Sequence, residues 1–204
     1  MELQRLARSG ELGTLLQVEA NFSQDKFLSL PGDNWRLSGA EAPAGPMTAT
    51  GVHLLDLSVS LLGPVDRVLV NVRRLGSNLA NGDTLGALIV FKSGANALIG
   101  AILATPFHGR ITVYGSGGWV EVRDNAHPET PEGWVLTKCG KGGRPERVAY
   151  APSNAVRANL EAFSDAAEGR APYPVPQEQM IDNIAALEAI FRSAASGEVA
   201  RVES

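Results

Sequence analysis

One cysteine, Cys139, stands in a chain of 204 residues. No disulfide can form within the chain and no thiolate metal site can be assembled, so the expected setting is cytoplasmic. Basic clusters are missing too: 18 Lys and Arg face 22 Asp and Glu, for a net charge of −4. Nucleic acid and membrane are therefore not expected partners. The opening Met1-Glu2-Leu3-Gln4-Arg5 lacks the apolar core of a signal peptide, and no apolar run reaches membrane-spanning length. His53, His108 and His127 share no ligand-like spacing, so no metal site is expected. Repeats and low-complexity tracts are absent. What remains, 44% hydrophobic and 20% charged residues, reads as an ordinary globular chain able to bury a real core.

The most informative stretch runs from Gly45 to Gly63. Its Gly45-Pro46 start reads as a loop, with Thr48 or Thr50 as the N-cap of a helix that follows. Val52, Leu55, Val59 and Leu62 recur at spacings of three and four and form one buried stripe, widened by Leu54, Leu57 and Leu61. Gly63-Pro64 ends it. His53 and Asp56 lie three apart on one face of this helix. A first-turn histidine beside a glycine loop is placed to face a cleft. It has two readings: a general acid/base or ligand hydrogen bond, or a structural histidine bonded to Asp56 or to backbone. The long irregular stretch at 23–47 has the length of a functional or lid-like connection and carries Trp35-Arg36. That pair reads either as a ligand clamp, the arginine supplying a bidentate fork, or as a loop aromatic on the core beside a solvated arginine.

Elsewhere, alternation marks strands at Leu15–Phe22 and around Val68, Val70 and Val72. Thr84–Lys92 and Asn96–Thr105 are apolar on both faces and joined by a Ser93-Gly94 turn, so both faces need cover. Two more hairpins are expected, Gly109–Tyr114 with Gly118–Arg123 and Gly133–Lys138 with Arg147–Tyr150. A helix is expected at Leu3–Ser9, and two close the chain. The first, capped at Ser153 or Asn154, has Val156, Leu160, Phe163 and Ala167 as its stripe; the second starts near Pro176 and carries Met180, Ile184, Leu187, Ile190, Phe191 and Ala194. Segregated strands and helices predict a single α+β domain over residues 1–204, with one broad, mainly antiparallel open sheet and helices on one face.

Five segments in order carry a family resemblance: Ser9-Gly10-Glu11-Leu12-Gly13, Trp35-Arg36, Gly51-Val52-His53-Leu54-Leu55-Asp56, Val113-Tyr114-Gly115-Ser116-Gly117-Gly118, and Asn183 to Ile190 ending in Ser193-Ala194. The chain resembles the C-terminal domain of the glucose–fructose oxidoreductase, inositol dehydrogenase and rhizopine-catabolism (Gfo/Idh/MocA) oxidoreductases. The resemblance implies a substrate-binding and oligomerisation domain of an NAD(P)-dependent enzyme acting on the hydroxyl or carbonyl of a sugar, polyol or related compound. It implies His53 as catalytic residue, Trp35, Arg36 and His53 as substrate contacts, and a homo-dimer or higher homo-oligomer through the open sheet face. NAD or NADP is implied for a full-length relative.

Two departures shape the expectation. The family's nucleotide domain would precede Met1, and its Glu-Lys-Pro segment with the catalytic lysine is absent. Gly115-Ser116-Gly117-Gly118 has Val120 where a last fingerprint glycine would stand and reads as a hairpin turn. The chain alone is therefore expected to bind no cofactor and to be inactive. Where the family commonly has an aspartate, four residues before the histidine, stands Ala49. An alternative is a stand-alone binding or assembly module derived from the family.

Overall fold

The computed structural model describes residues 2–203. Period-two alternation builds the sheet, as the sequence predicts. The strands are β1 (Leu15–Ser23), β2 (Val65–Arg73), β3 (Thr84–Phe91), β4 (Asn96–Ile102), β5 (His108–Gly115), β6 (Gly118–Asp124), β7 (Trp134–Gly140), β8 (Glu146–Tyr150) and the short β9 (Ala200–Arg201). They form one sheet in the order β8-β7-β6-β5-β1-β4-β3-β2-β9. Every neighbouring pair is antiparallel except β1 with β4. The fold is α+β. Gly115 and Gly118 end β5 and begin β6, so the glycine cluster is the hairpin turn expected.

Four helices join the sheet: α1 (Glu2–Arg8), α2 (Val52–Leu62), α3 (Ala155–Ala167) and α4 (Gln177–Ser196). α2 buries Leu54, Leu55, Val59 and Leu62, and α4 buries Ala186, Ala189 and Ile190. These meet Val18 and Ala20 of β1, Val68 and Val70 of β2, Leu85, Ala87 and Ile89 of β3, and Ala97 and Ile99 of β4 in one core. Each large side chain so buried contributes about 1.5–3 kcal/mol. Ser193 of α4 ties the layers further: its hydroxyl accepts from the Val70 amide at 2.9 Å.

Three expectations are corrected. Gly45-Pro46 does not hold the helix off. The chain is helical from Gly45, and Met47–Gly51 forms a π-turn that runs into α2. Proline lacks only an amide that the first helical turn leaves unbonded anyway, so it opens helices well. Thr48 and Thr50 consequently cap nothing: Thr48 donates to the Pro43 carbonyl, and Thr50 to the carbonyls of Phe22 at 2.8 Å and Pro46 at 3.2 Å. The stripe of α3 exists, and Asn154 caps it by accepting from the Arg157 amide, but among the described residues it stays largely exposed, Phe163 meeting the Tyr173 ring edge-on at 6.0 Å. Val156, Leu160 and Phe163 are 72%, 62% and 62% exposed.

Candidate functional site

β1 and β4 end where β5 begins, and at this end of the sheet the chain enters the long 24–46 connection. The π-turn stands against the same end, because the Thr50 hydroxyl donates to the carbonyl of Phe22, the last residue but one of β1. A π-turn holds one residue more per turn than the flanking α-helix and recurs at functional sites. His53 follows directly, exposed, with its ring 6.2 Å from that of Phe22. Asp56 is engaged elsewhere, accepting from Gln179 of α4 at 3.3 Å. The histidine is therefore not held by Asp56. No hydrogen bond reaches its ring among the described residues.

Phe22 is the hub of an aromatic group. Phe107 meets it edge-on at 6.0 Å, and His127 lies 5.9 Å from Phe22 and 5.3 Å from Phe107. His127 was set aside in the sequence because only spacing could be weighed there. In space it is a fastener. Its Nε2 lies 2.6 Å from Gln24 Oε1. Its Nδ1 accepts from the Glu129 amide at 3.2 Å and lies 3.2 Å from Lys26 Nζ, which is paired with Glu129. Burial, and then the Lys26 charge, push the imidazole below its ordinary value. A neutral ring with hydrogen on Nε2 satisfies all three contacts and joins the 125–133 loop to the end of β1.

Trp35 and Arg36 form a short 3₁₀ turn begun by Asn34, whose side chain accepts from the Arg36 amide. The guanidinium lies over the neighbouring indole, 4.5 Å from its centroid. Asn81 positions the turn. Its side-chain amide donates to the carbonyls of Arg36 at 2.8 Å and Ala42 at 2.9 Å, and its backbone carbonyl accepts from the Gly45 amide. The pair and His53 thus occupy the same end of the sheet on separate segments. The pair is anchored through the β2–β3 connection, and His53 through β1. Among the described residues no group of three His, Cys, Asp or Glu could hold a metal ion, and no helix is long and apolar enough to cross a membrane.

Residues 1–121 match the family model of the GFO/IDH/MocA C-terminal domain. The chain belongs to that family. It is similar to the uncharacterized oxidoreductase YdgJ of Escherichia coli K12, 27% identical over 210 residues, 95% of this chain and 60% of that protein. A solved structure from Desulfitobacterium hafniense, named as an NADPH-dependent oxidoreductase, is 26% identical with a TM-score of 0.87, covering 98% of this chain and 60% of the other. Aldose-aldose oxidoreductase from Caulobacter crescentus, solved with glycerol, is 25% identical with a TM-score of 0.80, covering 98% and 59%. This chain therefore spans about 60% of the length of the relatives it matches. Within this Gfo/Idh/MocA domain, His53 was visible in sequence as a polar interruption of an apolar stripe. His127, Gln24 and Asn81 carried no such signal, since their partners are remote: His127 and Gln24 are 103 positions apart.

Proposed function

We propose that this chain is the substrate-binding and oligomerisation part of an NAD(P)-dependent oxidoreductase acting on the hydroxyl or carbonyl of a sugar, polyol or related compound. The observation that carries the reading is His53: an exposed imidazole with no hydrogen-bond partner among the described residues, behind a π-turn, in a domain of an oxidoreductase family. Such a ring is free to exchange a proton with a bound hydroxyl. Trp35 and Arg36, exposed on the same end of the sheet, serve as further substrate contacts. The cofactor is supplied from outside the elements described, so calorimetry should find no micromolar binding of NADH or NADPH to the chain alone, and the chain alone should turn nothing over.

The test joins this chain to the nucleotide-binding part of a relative. With turnover established on a sugar or polyol, His53→Ala should lower it by about a hundredfold or more, the usual loss of a general acid/base. Ala49→Asp should raise turnover or leave it unchanged. Intact turnover in His53→Ala with a lower melting temperature would make the histidine structural. Ala49 favours a second reading, a binding or assembly module without chemistry, since it removes the carboxylate that the family commonly places there. A joined protein that binds its sugar and never turns over supports that module.

A further inference from the structure

Next to the aromatic group lies a cavity that the proposed reaction does not use. Its volume is about 560 Å3, and it is walled by the 124–134 connection and the first turn of α3. Asp124, Trp134 and Tyr150 are successive cross-strand partners on β6, β7 and β8, so their side chains share one face of the sheet. The next position in that row is Gly109. Its missing side chain makes room for the carboxyl, because a Cβ there would come within 2.6 Å of Asp124 Oδ2 and 2.8 Å of the Phe107 ring. Trp134 stacks on Tyr150 with centroids 6.1 Å apart and planes 10° from parallel. That approach needs Gly133, where φ is +86° and a Cβ would lie 2.1 Å from the Tyr150 carbonyl oxygen.

The charge in this cavity is one-sided. No hydrogen bond or ion pair reaches the Asp124 carboxyl among the described residues, and burial raises its pKa. The other acid in the wall, Glu129, is paired with Lys26; among the described residues no Lys or Arg lines the cavity. An anionic ligand is excluded by repulsion, despite the helix start nearby. A cation supplies what Asp124 lacks, and a flat indole face attracts it further.

We propose that this cavity binds a protonated amine carried on a ring-sized polar body, an amino sugar being the type, with Asp124 taking the ammonium and Trp134 bearing the ring. The proposal does not depend on the reading of His53. The test uses the 204-residue chain at pH 7 with two probes of one ring, D-glucosamine and D-glucose, read by saturation-transfer NMR and the Trp134 indole resonance. Glucosamine should bind at millimolar concentration and at least tenfold more tightly than glucose. Asp124→Asn, nearly the same shape, should abolish that preference. Trp134→Phe should weaken both probes, and Cys139→Ser, outside the cavity wall, should change neither. Lowering the pH through the Asp124 transition should also release glucosamine, whose amine stays charged. Equal binding of the two sugars, no binding of glucosamine, or an unchanged preference in Asp124→Asn with the fold intact by circular dichroism would each overturn the proposal.

Discussion

Asp83 has no exposed surface and yet is a carboxylate. Burial pushes it up, but the Leu75 amide, the Ser77 and Thr84 hydroxyls and the Gly76 amide outweigh burial and hold its pKa at about 2. A carboxylate lowered on folding contributes stability above its unfolded pKa and loses it as pH falls through the folded one. Thermal unfolding should therefore show stability falling between about pH 4 and pH 2, by about 2 kcal/mol from this group. Asp83→Asn should flatten that slope and lower the neutral-pH melting temperature. Asp124 has the opposite sign, since burial raises it. Its charged form costs stability above its pKa, so Asp124→Asn should melt higher than the wild type at pH 7 and no higher at about pH 3. In the sequence, an acid beside a strand looks the same in both cases. The sign is set by what surrounds it, four donors at Asp83 and, among the described residues, none at Asp124.

At the scale of elements, periodicity told strand from helix but not what each helix meets. β3 and β4 emerge as expected, because alternation and a Ser93-Gly94 turn are local properties. The stripe of α3 was equally legible, yet among the described residues no sheet or helix buries it. Phe163→Ala should thus change the unfolding free energy of this chain by less than about 0.5 kcal/mol, as exposed sites do. Leu55→Ala, at a fully buried site of α2, should cost about 2–5 kcal/mol; urea titration compares the two. The π-turn was not legible. Five residues are too few to show a period, and Gly45-Pro46 serves a loop or a helix start equally well. That turn matters to the site because four residues no longer make a full turn there, so Ala49 is not one regular α-turn from His53.

At the scale of the whole molecule, the helices cover one face of the sheet and leave the other open. The sequence pattern showed that β3 and β4 are apolar on this second face, and Leu69, Leu88 and Leu98 are indeed 42%, 39% and 42% exposed there. It did not show that the same face becomes polar across β1, β5 and β6. Arg110 bridges Glu19 at 2.7 Å and Glu121 at 3.5 Å, and Tyr114 donates to Glu19. An apolar half beside a charged half suits a two-fold interface between copies, which would cover the leucines. Light scattering at micromolar concentration should give at least a dimer mass, and Leu88→Arg with Leu98→Arg should return a monomer of unchanged secondary structure. A wild-type monomer would remove the oligomerisation role.

The parallel seam between β1 and β4 governs how fast this molecule can form. Strands β2 to β4 and β5 to β8 each follow one another antiparallel, so both meanders can zip through short loops. β1 lies between them, and its Gln17 meets Asn96, 79 positions away. Closing so large a loop is slow because its entropy is lost before any contact repays it. The first strand made is thus the last to seat. Leu136→Ala on β7, in a meander formed before that step, should therefore slow refolding in proportion to the stability it removes, whereas Val18→Ala on β1, whose contacts are only partly made there, should both slow refolding and speed unfolding.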